Sequence, residues 1–583
     1  MTDILSILNE KFIVAIRSLY GDEYSDIDPL INVTSNPDFG DYQANLAMSL
    51  AKKMNGKPRN IADKIVDALE LDEICEKVEI AGPGFINLHL EKVFIEEQLR
   101  SLASGESLGI DKVDRPQTVV VDYSAPNIAK EMHVGHLRST VLGDAMTRVL
   151  MSQGHIVIRQ NHMGDWGTQF GMLIEYLVDS DWDIDSNNDS ISDLNLRYQE
   201  SKKKFDEDAD FNERSRKRVV ALQGGDEFTL TVWRYLVGES IAHFNQIYQR
   251  LGVLLTEEDN CPESFYNPLL PDVVEALQSN NMLKLSEGAS VIFLEGFKDR
   301  EDKPLPMIVR KSDGGYLYAT TDLAAARYRI DELNADRIIY ITDARQSQHF
   351  AMLFAALRKA EWVGDSVRLD HMPFGSVLGA NRKPFKTREG GTIKLTELLD
   401  EAQFRAAEVI GKKNPDLSET QKLEVAKKIS LAALKYADLS NDRIKDYVFD
   451  WDRMLALDGN TAPYLLNAYV RIVSIFRKGK IERQSIDAQA LRIQAPTEKM
   501  LAMKLFQYSS AVEAVADRLE PHRLCTYLYE LASCFHAFYE SCPILKESVG
   551  EEERNSRLAL CDLCARVIEQ GLSLLGIESL EQM

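Results

Sequence analysis

Residues 119–150 constrain the fold of this chain more tightly than any other stretch. A buried-strand pattern, Val119-Val120-Val121-Asp122, runs into a proline turn, Ser124-Ala125-Pro126-Asn127, and then into an apolar-periodic segment over 137–150. A short β-branched run followed by a long 3.6-residue periodicity predicts a strand handing over to a helix. At the handover stand Lys130-Glu131-Met132-His133-Val134-Gly135-His136. A helix start carries unpaired N–H groups and a partial positive charge, which suits phosphate. Gly135 between the two imidazoles lets a nucleotide approach the backbone. Two other readings of His-x-x-His compete, a pair of packed histidines and half of a zinc site. Zinc wants a third ligand and usually a glutamate in His-Glu-x-x-His, and neither appears locally.

The alternation continues beyond this unit. Short β-branched runs at 156–160, 289–294 and 337–342, separated by helical segments, predict a parallel sheet with crossover helices, a Rossmann-like doubly wound domain over 113–394. A charged, largely helical insertion at about 180–285 interrupts it, with helical patterns at 181–193 and 202–217. Residues 1–112 form a separate small α/β unit. It has an amphipathic helix, a turn-rich 35–41, helices at 42–54 and 60–71, and a strand pair, 77–81 and 84–90, joined at Gly82-Pro83. Residues 101–116 read as a linker. From 395 strand signals nearly vanish, and 395–583 reads as an all-helical domain.

Composition excludes little but sets conditions. No run approaches the roughly 20 apolar residues of a membrane helix. The start of the chain reads as an amphipathic helix and not as a signal peptide. Seven scattered cysteines fit free thiols in a reducing, cytoplasmic setting, and Cys561-x-x-Cys564 lies inside a helical pattern as core packing. A net charge of −23 means that any nucleic-acid partner must find a local basic surface. Candidates are Lys52-Lys53 with Lys57 and Arg59, Arg382-Lys383 with Lys386 and Arg388, and Arg477-Lys478 with Lys480.

Other segments supply polar groups at predicted strand ends, where ligands sit in open α/β sheets. Asn161-His162-Met163-Gly164-Asp165-Trp166-Gly167 follows the strand at 156. Asp343-Ala344-Arg345-Gln346 follows the strand at 337. Tyr318-Ala319-Thr320-Thr321-Asp322 reads as a strand entering a helix near Thr321, where Asp322 also fits a simple cap. In the basic loop after the last strand, Lys386 and Arg388 are placed to clamp a pyrophosphate leaving group.

Together these segments resemble the class I aminoacyl-tRNA synthetases, and within them the arginyl family of bacterial type, from end to end. His133-Val134-Gly135-His136 is similar to the class signature HIGH. Ser124-Ala125-Pro126-Asn127-Ile128-Ala129-Lys130, 161–170, 318–322 and Gly459-Asn460-Thr461-Ala462-Pro463-Tyr464 resemble stretches of the arginyl family. Residues 35–42 and 79–86 resemble its N-terminal appendage. The second class signature, KMSKS, is absent, and Phe385-Lys386-Thr387-Arg388 stands in its place. The family implies that a lysine before the first signature compensates, a position held by Lys130.

The resemblance implies that arginine and ATP, with Mg²⁺, form arginyl-adenylate, whose arginyl group passes to the 3′ end of its tRNA. His133, His136, Lys130 and Lys386 would hold the phosphates, with Arg388 on the leaving group and Gly135 against the nucleoside. Asp322 and Tyr318 would take the guanidinium, with Asp122 adding an acceptor. Asn127, His162 and Gln346 would meet the α-amino and carboxylate ends. Asn36, Phe39 and Tyr42 would touch the tRNA elbow. Tyr464, Tyr469, Arg471 and Arg477 would read the anticodon. No resident metal site is expected, and a monomer is implied. A different adenylate-forming enzyme and a catalytically silent RNA-binding relative are the competing functions.

Overall fold

The structure, a computed structural model, describes residues 4–24, 26–34, 36–180, 191–383, 385, 393–414 and 417–583. At the N-terminus the helices Ile4–Tyr20, Leu46–Met54 and Pro58–Ala68 accompany an antiparallel sheet of β1 (Ile31–Val33), β2 (Tyr42–Ala44), β3 (Cys75–Ala81) and β4 (Phe85–Leu90), in the order β1-β2-β4-β3. The helix expected from 42 therefore begins only at Leu46, because Tyr42, Gln43 and Ala44 pair with β4. Gly40, at φ +82°, precedes that pairing. A Cβ there would lie 2.5 Å from the Leu88 carbonyl oxygen, so the turn requires glycine.

The second domain holds β5 (Thr118–Asp122) and β6 (Ile156–Gln160). A separate antiparallel sheet follows, β7 (Lys284–Ser286), β8 (Ala289–Lys298) and β9 (Pro304–Arg310), and then β10 (Arg337–Asp343) and β11 (Arg368–Phe374). Strands β5, β6, β10 and β11 form the parallel sheet in the order β11-β10-β5-β6. Val119, Val120 and Val121 are all fully buried, as a strand covered on both faces requires. The expectation for 289–294 is corrected here, since β8 pairs antiparallel with β7 and β9 and never joins the parallel sheet. Its burial is graded along the strand, with Val291, Ile292 and Leu294 buried and Glu295, Gly296 and Lys298 exposed. The expected helical insertion is carried by the helices Ile191–Glu207, Ala209–Gln223 and Glu227–Leu251, while residues 181–190 lie outside the described residues.

From Leu395 the described chain is helical apart from β13 (Tyr447–Val448), which pairs with β12 (Val377–Leu378). The helical part is joined to the parallel-sheet domain by a buried ion pair. Arg138 Nε lies 3.1 Å from Asp438, both are essentially unexposed, and Arg138 also donates to the Gly375 carbonyl at 2.6 Å. The N-terminal unit docks on the helices as well. Lys499 pairs with Asp41 at 2.9 Å, and Arg566 donates to the carbonyls of Ala103 and Gly105. The expected linker thus starts in the last turn of the helix Lys92–Ser104, held at its end by an arginine of the helical domain.

Candidate active site

Chain order changes direction between β5 and β10. After β5 the chain moves outward to β6, then returns to β10 on the other side of β5. The crevice at the carboxyl ends of these two strands is where an open α/β sheet receives its ligand. It collects the segments following β5, β6 and β10.

The loop after β5 is held in an unusual backbone shape. Ser124, Ala125 and Ala129 all have positive φ, at 72°, 45° and 60°. Such conformations cost about 1–3 kcal/mol each and persist only where the surroundings fix them. Each of the three amides donates to a side chain from elsewhere. Ser124 N–H donates to Ser139 Oγ (2.9 Å), Ala125 N–H to Asn161 Oδ1 (3.0 Å) and Ala129 N–H to Ser240 Oγ (2.9 Å). The opposite strand-end loop crosses closely: a Cβ on Gly164 would lie 2.5 Å from Asn127 Oδ1.

The helix Val134–Ser152 follows, with His133 as its N-cap. Gly135 N–H donates to His133 Nδ1 at 3.1 Å, and His133 N–H donates to His136 Nδ1 at 3.0 Å. A backbone amide can only donate, so both Nδ1 atoms are acceptors and both neutral rings carry their proton on Nε2. The rings stack 3.9 Å apart. Burial, reinforced by Lys130 and Arg345, holds His133 below its ordinary pKa. Burial, with His133 and Lys130, takes His136 down to about 3. The result is a helix start presenting two neutral imidazole N–H donors beside an ammonium. A Cβ on Gly135 would meet His133 Cε1 at 2.9 Å, so glycine is needed for the ring packing as well.

The basic loop returns to the same place. Leu395 N–H donates to the Met132 carbonyl at 2.8 Å, and Lys394 pairs with Glu131 at 2.8 Å. Lys386 and Arg388 lie outside the described residues.

At the other end of the crevice is an anionic pocket. Tyr318–Asp331 is helical throughout, correcting the expected strand, and Asp322 sits inside it without capping it. Its carboxylate bonds His349 Nε2 at 2.6 Å and lies 3.8 Å from His162 Nε2. Burial holds His162 below its ordinary pKa. Tyr318 is 65% exposed at the mouth, its ring 5.5 Å from that of His349. A second carboxylate, absent from the sequence reading, faces this group. Burial, then Asp322 and Asp165, push Glu263 up to about 8. Asp165, fully buried and bonded by Ser264 N–H at 2.8 Å, is itself raised to about 6 by burial. Glu263 opens a short 3-10 helix, Glu263–Leu269, and its amide bond to the Met163 carbonyl (2.9 Å), with those of Cys261 to Asn161 and Ser264 to Asp165, ties it to the β6 loop.

Asp122 is corrected. Its carboxylate is occupied by Arg329 at 2.7 Å, with Arg329 fully buried and also bonded to Gln160 at 2.5 Å. A resident guanidinium thus takes the position expected for the substrate's. Asn127 and Gln346 are exposed at the rim.

Known proteins match this chain along nearly its whole length. Residues 98–451 match the family described as tRNA synthetases class I (R), catalytic domain; residues 465–583 match the DALR anticodon binding domain; and residues 6–90 match the arginyl tRNA synthetase N terminal domain. The chain belongs to the arginyl-tRNA synthetases. Its relatives include the arginine–tRNA ligases of Cellvibrio japonicus, 49% identical with all of both chains covered, and of a Nostoc species, 51% identical with 99% of each covered. The crystal structure of the arginyl-tRNA synthetase from Plasmodium falciparum superposes with a TM-score of 0.86 at 31% identity, over the whole of both chains. This synthetase is a class I arginine–tRNA ligase, with ATP as a substrate. No described helix is long and apolar enough to cross a membrane.

The synthetase's helical domain presents a cleft of about 960 Å³ lined by Arg471, Arg477, Lys478, Tyr539 and Lys546 among others. Arg471 lies over the Tyr539 ring at 5.5 Å and bonds His536 at 3.1 Å. Tyr464 is partly buried and stacked on His536. Tyr469 is corrected: it is 4% exposed and donates to Glu569 at 2.9 Å, so its ring is core and cannot stack on a base. The exposed aromatic there is Tyr539, which the sequence reading passed over because it closes a long helix that reads as core. In the N-terminal unit Phe39 is 48% exposed beside Asn36, whereas Tyr42, 2% exposed, is corrected to a core residue.

Proposed function

We propose that Asp322 and Glu263 together bind the substrate guanidinium, with Tyr318 closing over it. The supporting observation is that the Asp322 carboxylate bears on Glu263 closely enough to help raise the proton affinity of Glu263. A forked guanidinium satisfies two carboxylates at once, whereas the point charge of lysine leaves one short of donors. Asn127, His162 and Gln346 stand toward the α-amino and carboxylate ends. The arginine carboxylate oxygen attacks the α-phosphorus of ATP, the bond to the bridging oxygen breaks, and pyrophosphate leaves. A ribose hydroxyl of the 3′-terminal adenosine of tRNA then attacks the arginyl carbonyl and AMP leaves.

In this reading the Nε2–H groups of His133 and His136 donate to phosphate oxygens as charge builds on the leaving group. Lys130 supplies the cation that most of the class keeps on the opposite loop, assisted by Lys386 and Arg388. Positioning and charge stabilisation are the main resources for such a reaction. The nitrogen groups at the helix start suit phosphate and not Mg²⁺, which prefers oxygen. Mg²⁺ would therefore arrive on ATP's own oxygens. The cleft at Arg471 and Tyr539 is assigned to anticodon bases, and Phe39 with Asn36 to the tRNA elbow. The synthetase works in the cytoplasm as a monomer.

Aminoacylation of total tRNA with each labelled amino acid tests the assignment, followed by Asp322→Ala. Arginine alone is expected to be charged, with the variant losing arginine use far more than ATP affinity. Equal losses for both substrates would remove the guanidinium role.

A further inference from the structure

The insertion touches the phosphate end of the site at one defined junction. Lys130 Nζ rests 4.4 Å from the centroid of the Tyr198 ring, on the helix Ile191–Glu207. One turn earlier on that helix, Asn195 Nδ2 reaches Glu131 at 3.5 Å. Positions three apart share a helix face, so Asn195 and Tyr198 grip the Lys130-Glu131 dipeptide together. Glu131 in turn holds Lys394, at the returning end of the basic loop. The chain enters His133 two residues later, with Lys130 close enough to weigh on both imidazoles.

We propose that Tyr198 is a positioning residue for adenylate formation, stationing the Lys130 ammonium beside His133 and His136 by cation–π contact. The inference rests on the reading of Lys130 as a phosphate ligand. A lysine side chain has several rotatable bonds, and the ammonium must find one place among many. An aromatic face holds a cation without consuming its hydrogen bonds, so all three N–H donors stay available to phosphate oxygens. A carboxylate in the same position would neutralise the charge the pyrophosphate needs. The arrangement also makes the insertion part of the active site, since its first described helix fixes the cation that the sheet domain leaves on a loop.

ATP–pyrophosphate exchange with cognate tRNA present, on the full chain, provides the test. Tyr198→Leu is expected to lower kcat roughly 3- to 30-fold while leaving KM for arginine unchanged, and Tyr198→Phe is expected to restore the parent rate, because the ring face is kept. In a Lys130→Ala background Tyr198→Leu should have no further effect. A Tyr198→Leu enzyme as fast as the parent overturns the proposal. So do losses that multiply in the double variant, which mark a role independent of Lys130, and a Tyr198→Phe enzyme as slow as Tyr198→Leu. A Lys130→Ala enzyme with the parent rate overturns the phosphate reading itself, and the inference with it. If Tyr198→Leu does not fold, Asn195→Ala releases the same grip through Glu131 and is expected to lower kcat in the same direction.

Discussion

The ring of His136 accepts the backbone N–H of His133 at 3.0 Å, so the second histidine of the pair caps the helix that the first one begins. That contact holds only for a ring unprotonated at Nδ1. An unfolded chain takes up the proton below pH about 6.5, whereas burial keeps His136 neutral in the fold down to about 3. Folding therefore excludes a proton, and stability falls as pH drops below about 6.5, with no effect above it. His136→Asn retains a cap acceptor without a titrating group. Its thermal midpoint relative to the parent should rise as pH falls from about 7 to about 5, while adenylate formation is lost at both. A pH-independent difference in midpoint would refute the account.

Gly135→Ala places a methyl group 2.9 Å from His133 Cε1 and must turn the ring aside. Misplacement by about 1 Å at a reacting centre costs on the order of 100-fold in rate. Such a loss is expected in pyrophosphate exchange, with the arginine KM little changed.

Glu263 should make arginine binding depend on pH. Its carboxyl stands at about 8 in the empty pocket, and the bound guanidinium favours the ionised form, so binding releases a proton. The arginine KM should therefore fall as pH rises from about 7 to about 8.5. Glu263→Gln should flatten that slope and raise KM about 10- to 100-fold. A slope that survives the substitution would assign it to another group.

Arg138 and Asp438 tie the histidine helix to the helical domain. Removing one partner leaves the other buried and unpaired, a cost of about 3–5 kcal/mol. Arg138→Met should lower the thermal midpoint markedly, and adding Asp438→Leu should recover part of the loss. A double variant less stable than the single would contradict this.

For tRNA, Tyr539→Ala should raise KM about 5- to 50-fold, in line with loss of one stacking base partner. Tyr469→Phe should leave KM for tRNA unchanged, because the ring is core. Aminoacylation over a tRNA titration distinguishes them.

Much of this was legible in local pattern. The strand–turn–helix at 118–152, the helical C-terminal third and the placing of both histidines at a helix start follow from periodicity and residue type. Tyr42, Tyr469 and Tyr539 show where that stops. Aromatics at helical or strand spacing look alike in sequence, and only packing sorts the buried pair from the exposed one. The run at 289–294 misled for a related reason, since a short β-branched run fits a parallel or an antiparallel neighbour equally.

The sequence by itself determined the family, the three-part order of the chain and the strand–turn–helix that carries the paired histidines, because each is carried by residues adjacent in the chain. The tertiary structure alone decided which acids come near one another at the strand ends. Asp122 is paired with a buried arginine more than 200 residues away, and Glu263 reaches Asp322 from a segment distant in the chain. It also decided how the loop of Ser124, Ala125 and Ala129 is held, through hydroxyl and amide groups on three other elements. Charge and strain are set by whatever the fold places within a few ångströms, and distance along the chain does not encode that.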